Sequence, residues 1–341
     1  MFESLSENID EISNSRENKT EDIAKRISVI TANRIHLKRY PIDNPVTAFN
    51  PSLLIRGQDV SIYARIVLGY YTYSSAVAEI KLSLDDLFQN SVSHYTAEIV
   101  VYPDNKFDIW GTEDPRVYEI DGIIHMTYCG RTVLYFDPHI RVERTIPITA
   151  ILDRNKWNKT YICRFPESLR DFVISDKNAF FVKVKSDLKL FHRPHMKDEK
   201  FYLVVSDIEK EERFTIIRNT KLVLKPAKFE EKIGWGTPAV RVDKEYLFLL
   251  HGVDRETLAY RVFAMTMDED LNVTAITPYY IMEPKEVYEM YGDRPFVVFP
   301  CGAQILDDSL IISYGAADST IGIGEIDLSE LMSILDKNRF K

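Results

Sequence analysis

Residues 113–130 read EDPRVYEIDGIIHMTYCG. Val117, Tyr118, Glu119 and Ile120 alternate as one strand, Asp121-Gly122 turns the chain, and an apolar second strand follows. An Asp-Gly pair between two apolar runs is a strong short-range hairpin signal. The opening is less ordinary, because Glu113, Asp114 and Arg116 crowd around Pro115. A carboxylate pair beside a fixed backbone bend is either a structural knot or a reaction centre.

The same plan recurs along the chain. FNPSLLIRGQDVSIYARIV (49–67), EDPRVYEIDGIIHMTYCG (113–130), FFVKVKSDLKLFHRPH (180–195), GTPAVRVDKEYLFLLHGVD (236–254) and PCGAQILDDSLIISYGAAD (300–318) each run from a small or proline-bearing opening through a strand and a polar turn to an apolar strand. Their turn aspartates are Asp59, Asp121, Asp187, Asp243 and Asp307, spaced 62, 66, 56 and 64 residues apart. A recurring unit of roughly 60 residues built of short strands marks a β-propeller. Five units predict an all-β, five-bladed β-propeller with short terminal helices. A pair of β-sandwiches is the alternative. Against it, each second strand ends in polar or charged residues at the same place: Arg65, Arg131, His192/Arg193, His251/Asp254 and Tyr314/Asp318. In a propeller, equivalent strand ends meet around the central axis.

The terminal segments complete this division. Residues 1–30 are expected to form a polar, helical N-terminal extension, its Ser/Asn/Glu-rich residues 1–20 mobile or loosely helical and Thr20–Ile30 a short helix. Residues 31–341 form a single propeller domain. Near its end Asp327, with Glu330 three residues on, predicts a capped amphipathic helix.

The 341 residues carry a formal net charge of −9, which argues against a nucleic-acid surface while leaving room for a small basic pocket. No apolar run approaches the roughly 18 residues of a membrane span. The first residues are polar and acidic, unlike a secretory signal. Cys129, Cys163 and Cys301 lie far apart with no CxxC, which fits a reduced, cytoplasmic chain.

Several side chains carry chemistry. Asp114 precedes a proline and is expected to be extended; by itself it reads as a turn aspartate. Glu113 reads as a structural ion pair with Arg116. His192 and His195 flank a proline in a strand exit, a poor geometry for metal, and no metal set with known spacing is found. Arg193 between them reads as a clamp for an anion or hydroxyl. Lys177 and Lys232 each precede a strand of a different repeat; a lone lysine there is ordinarily solvated. In KIGWGTP (232–238) the glycines let the backbone approach something closely. Cys129 reads as an inert core thiol. One carboxylic acid with cations from separate repeats suits a sugar bound beside an inorganic anion. An inverting glycosidase uses a second carboxylate to activate water, whereas phosphate arrives already anionic and needs cations instead.

FNPS…YARIV, GTEDPRVYEIDG, HRPH, KIGWGTP…LLHGVD and FPCGAQILDDSLIISYGAAD resemble glycoside hydrolase family 130, the inverting β-mannoside phosphorylases and β-mannosidases. The resemblance runs from about Asn50 to Ile326 and rests on the order of EDPR, HGVD and YGAAD. It implies a five-bladed propeller and phosphorolysis of β-mannosides to α-mannose 1-phosphate, or the reverse, a hexosyl transfer with inorganic phosphate as co-substrate and no metal or organic cofactor. It implies Asp114 as the acid, acting through a mannose hydroxyl, and Arg131, Lys177 and Lys232 as the phosphate set. It places Asn50, Arg65 and Asp318 at the mannose, His251 and Asp254 on the floor, and His192, Arg193 and Tyr314 among the substrate contacts. A homo-oligomer is compatible with it. Trp235 stands where the family has a small residue, FNPS lacks the usual following glycine, and GRT (130–132) aligns loosely. A hydrolase of the same fold, a mannosyltransferase drawing on a nucleotide sugar, and a non-catalytic sugar-binding propeller are the alternatives.

Overall fold

The structure, a computed structural model, describes residues 1–340 except 90–92, 135–136 and 138. Strands dominate, and the helices are short. Among the described residues the strands form five antiparallel meanders.

The first runs through Thr47–Arg56, Asp59–Val67, Ser75–Ser83 and Tyr95–Val101, with Ile35–Leu37 added in parallel outside. The second is Thr112–Ile120, Ile123–Arg131, Thr145–Asp153 and Lys156–Arg164. The third is Val173–Val184, Asp187–Met196, Leu203–Lys210 and Thr215–Leu224. A short parallel pairing of Cys163 and Arg164 with Thr215 and Ile216 joins these two into one large sheet. In the fourth, the opening strand is split into Glu230–Trp235 and Val240–Val242 around Pro238, which has no N–H for the ladder. Glu245–Asp254, Tyr260–Met267 and Val273–Ile276 follow. The fifth takes Val298–Leu306, Ser309–Ala316 and Thr320–Asp327. Its outer strand is Lys25–Thr31, from the other end of the chain.

That last pairing corrects the helix expected over Thr20–Ile30. The alternation in KRISVIT serves a strand on Thr320–Asp327, and ladder bonds there outweigh local helical preference. Nor are the preceding residues loose. Ile9–Asn14 is a helix whose Ile9 and Ile12 enter the core, and Arg16 forms a buried bidentate pair with Glu230. At the far end the expected cap is present: the Asp327 carboxylate accepts the Glu330 N–H at 2.9 Å, opening the helix Leu328–Asp336.

The hairpin turns explain the uneven spacing of the aspartates. Asp121, Asp243 and Asp307 occupy the turn with φ of 51°, 50° and 51°. In the other two hairpins Gly57 and Lys185 take that place, while Asp59 and Asp187 begin the next strand. Counted from the turn residue, the repeats step by 64, 64, 58 and 64 residues.

The opening strands of the meanders face one another. Thr47–Arg56 packs on Thr112–Ile120 and on Val298–Leu306, and Thr112–Ile120 packs on Val173–Val184. Between the meanders lie apolar clusters. The largest stacks Phe180, Phe191 and Phe248 around Trp235, all fully buried. Trp235 is therefore core, and its indole N–H donates to the carbonyl of His192 at 3.1 Å.

Candidate active site

The strand openings supply the site through one repeated distortion. The ladder slips between Phe49 and Ser52, between Glu113 and Arg116, and between Lys177 and Phe180. At these bulges Asn50, Asp114 and Asn178, 64 residues apart, have φ of 47°, 53° and 56°. Asn and Asp tolerate this region better than most residues, and a bulge re-aims a side chain out of the pleat. Asp114 is thus left-handed, not extended as its proline suggested. The bulge overrides the local preference at a cost of roughly 1–3 kcal/mol.

Arg116 stabilises the distortion and is not the partner of Glu113. Its guanidinium donates to the Asp114 carbonyl at 3.0 Å and to the carbonyls of Trp235 and Gly236 at 3.1 and 2.7 Å. Glu113 instead accepts from Arg65 at 2.9 Å, Arg131 at 3.0 Å and Lys177 at 3.0 Å. Burial alone would raise its pKa, but these three cations outweigh burial and hold the carboxyl well below its usual range.

Asp114 accepts on a single oxygen. Oδ1 takes the Asn50 amide at 2.8 Å and Arg65 Nη1 at 3.1 Å, and among the described residues no donor reaches Oδ2. Both carboxylates face a cavity of about 440 Å³. The cavity wall also includes Asn50, Arg65, Lys177, Arg193, Lys232 and Asp318, so seven of the residues expected from the sequence, Asp114 among them, meet here. Asp318, from the other end of the repeat series, has its carboxyl raised to about 6. Burial is the main cause and the nearby Asp114 charge adds to it, against Arg65 and Arg294.

Further cations line the same cavity. Among the described residues, Arg193, Lys232 and Arg294 have no carboxylate within ion-pair distance. They lie over aromatic rings: Lys232 4.8 Å from Phe201, Arg193 5.1 Å from the same ring, Arg294 4.5 Å from Tyr260. Burial, with Arg193, Arg294 and Lys177 nearby, pushes the Lys232 ammonium down to about 7. Asn50 Oδ1, Asn178 Oδ1 and Arg193 Nε are buried with no protein partner. Buried polar atoms are nearly always satisfied, so three unsatisfied ones on residues of a single cavity wall set this wall apart.

Five expected residues lie elsewhere. Arg131 sits behind Glu113 and also donates to the Thr72 carbonyl at 2.9 Å. His192 is fully buried between Asp176, at 2.7 Å, and Ser206, at 2.8 Å. His251 lies behind Arg193, whose Nη1 donates to its Nε2 at 3.4 Å; burial and the surrounding cations keep it neutral, far below the usual histidine range. Here Gly234 is required, because a Cβ would meet the His251 ring at 2.5 Å and Arg193 at 2.9 Å. Asp254 accepts from Arg261 at 2.7 Å and from Thr257, and Tyr314 donates to Glu289 at 2.7 Å. Cys129 is buried, its thiol pushed up to about 12 by burial, as an inert core thiol should be.

Sequence reasoning missed Arg294, Asn178, Tyr260, Phe201 and the Tyr73–Asp293 hydrogen bond in the same wall. Asn178 was findable, since aligning FNPS, EDPR and KNAF puts it beneath Asn50 and Asp114. Arg294, in the loop before the last meander, carried no repeat signal.

A carboxylate held on one oxygen shares this cavity with three cations that, among the described residues, have no carboxylate within ion-pair distance, a lining whose chemistry suits a polyol beside an anion. The chain belongs to glycoside hydrolase family 130: the family model, described as beta-1,4-mannooligosaccharide phosphorylase, matches residues 14–337. A 1,2-beta-oligomannan phosphorylase of Thermoanaerobacter sp. (strain X514) is 25% identical over 66% of this chain and 71% of its own length. A beta-1,2-mannobiose phosphorylase of the same organism is 29% identical over 64% and 68%. The fold is similar to that of the beta-1,2-mannobiose phosphorylase of Listeria innocua in its beta-1,2-mannobiose complex, with a TM-score of 0.69 and 19% identity over 91% of this chain and 97% of that one.

Proposed function

We propose that this chain is an inverting phosphorylase of β-mannosides that releases α-mannose 1-phosphate, or runs the reverse synthesis. The observation that carries the reading is the trio Arg193, Lys232 and Arg294, with no carboxylate within ion-pair distance among the described residues, facing the same cavity as Asp114. A hydrolase has no need to gather three such charges, whose mutual repulsion only an anionic co-substrate relieves. The named activities of the relatives support the same class.

In this reading phosphate lies against Lys177, Arg193, Lys232 and Arg294, and the mannose unit lies over Asn50, Arg65 and Asp318. Asp114 donates a proton through a mannose hydroxyl to the glycosidic oxygen. That oxygen leaves with the proton as the anomeric C–O bond breaks. A phosphate oxygen bonds the anomeric carbon from the opposite face and inverts it. Asn50 and Arg65, both on Oδ1, leave Oδ2 to face the sugar. No metal or organic cofactor takes part, and inorganic phosphate is the co-substrate.

We read the five meanders as blades of a propeller closed by packing of the first opening strand on the last and by Lys25–Thr31 completing the fifth sheet. The near-constant 64-residue step supports it. Incubation with β-1,2- and β-1,4-mannobiose, with and without phosphate, tests the activity. Mannose 1-phosphate should form only with phosphate; equal release of free mannose without it would make the chain a hydrolase.

A further inference from the structure

A second cavity, of about 690 Å³, opens beside the catalytic one. Their common wall is the segment between Asp59–Val67 and Ser75–Ser83: Tyr73 faces the catalytic cavity, while Leu68, Gly69 and Ser74 face the second. The strand directions put both on one face. Asp59–Val67 ends beside Arg65 at the catalytic cavity. Tyr95–Val101 is antiparallel to Ser75–Ser83 and therefore runs the same way as Asp59–Val67; Ile35–Leu37 is parallel to it. Residues just beyond these two strands, Lys38–Tyr40 and Tyr102, emerge at the same end and line the second cavity.

The lining suits a pyranose. Tyr40 and Tyr102 are 39% and 55% exposed, and each offers an aromatic face to the C–H side of a sugar ring. Lys38 and Glu98, 3.7 Å apart at the rim, offer a donor and an acceptor to hydroxyls. An apolar concavity with a few polar groups is the usual make-up of a small-molecule site. The backbone beneath Tyr102 is held, since Lys159 donates to the Tyr102 carbonyl at 2.7 Å and to the buried Asp108 at 2.6 Å. Between the two cavities Tyr70 and Tyr71 stand almost fully exposed at the loop tip.

We propose that this cavity binds the distal units of a manno-oligosaccharide whose reacting end occupies the catalytic cavity, the chain crossing the loop tip. The proposal rests on the mannoside reading above and deepens it by assigning a site for oligosaccharides longer than the disaccharide. The site has no part in the reaction itself, so Tyr102 and Tyr40 can be removed without touching the acid or the anion pocket.

The test compares the parent with Tyr102→Ala and Tyr40→Ala. For a β-linked mannotetraose, each variant is expected to lower kcat/KM by about tenfold, the loss of one good aromatic contact. For mannobiose, kcat/KM should stay within about twofold, as for an exposed substitution far from the chemistry. Equal effects on both substrates, or none on either, overturn the proposal. A second arm titrates mannotetraose by calorimetry into Asp114→Asn, with and without Tyr102→Ala. Should the parent turn over no mannoside, the proposed activity fails and this binding arm alone judges the site. Weaker binding with Tyr102→Ala then upholds it, and equal or absent binding overturns it.

Discussion

Lys177 and Lys232 face one cavity in opposite electrostatic company. Lys177 donates to Glu113 at 3.0 Å, and although burial opposes its charge, that carboxylate raises its ammonium above the ordinary lysine range. Lys232 has no carboxylate within ion-pair distance among the described residues, and burial beside Arg193 and Arg294 pushes it down to about 7. The first lysine is held charged by its carboxylate, while the second, without an anion beside it, is charged only below about neutral pH.

Phosphate affinity should therefore depend on pH through Lys232. The ammonium is charged below about 7 and neutral above, so the phosphate KM should rise as pH climbs through neutrality, by up to about tenfold per unit for one coupled proton. Lys232→Arg keeps the charge at all these values and should flatten the profile relative to the parent. Lys232→Ala should raise the phosphate KM throughout, with little change in sugar KM. Phosphate saturation curves across neutral pH decide this. A parent profile no steeper than that of Lys232→Arg would remove Lys232 from the anion site.

Asp114→Asn keeps the shape and both Oδ1 hydrogen bonds but cannot give up a proton. Turnover should fall by roughly 10²–10⁴-fold, with an unchanged melting profile. Near-parental turnover of an unactivated mannoside would reduce Asp114 to a bulge residue.

Glu113→Gln tests the knot beneath the site. It leaves Arg65, Arg131 and Lys177 around a neutral amide in a place where Glu113 is 1% exposed. Removing one member of a buried charged set typically costs about 3–5 kcal/mol. A lowered denaturant midpoint is expected alongside lost activity. A midpoint equal to the parent's would show that the cations find other partners.

Asp318→Asn should stabilise the fold in a pH-dependent way. The folded carboxyl titrates at about 6, above the roughly 3.9 of an unfolded aspartate. Between these values the unfolded chain ionises first, so the parent loses stability as pH rises and the loss is complete above the folded value. The Asn variant should melt with the parent in acid and above it at neutral pH, at the expense of mannoside turnover. Identical melting at both would mean that Asp318 is no liability to the fold.

The repeat was legible because hairpin turns and strand alternation are local: Asp121-Gly122, Asp243 and Asp307 need only their neighbours to set a positive φ. Asp114, Lys177 and Lys232 were legible as candidates because charged residues at the openings of successive repeats converge if the repeats do. The strand at Lys25–Thr31 was not, since its pairing partner lies almost 300 residues away. Nor could the sequence sort cations by company. Arg131, Lys177 and Lys232 look alike along the chain. Only packing puts Glu113 on the first two and leaves the third beside Arg193 and Arg294. His192 stands one residue before Arg193, the equivalent of Arg65, and so takes the opposite, buried face of its strand, while His251 does share that position but is covered by Arg193. What the sequence by itself determined was a set of local turns, their period and the residue types at the openings of the repeats. Which of those residues share a cavity, and which charges there are already met, was decided by contacts between distant segments, where burial and the sign of the nearest neighbour set each group's chemistry.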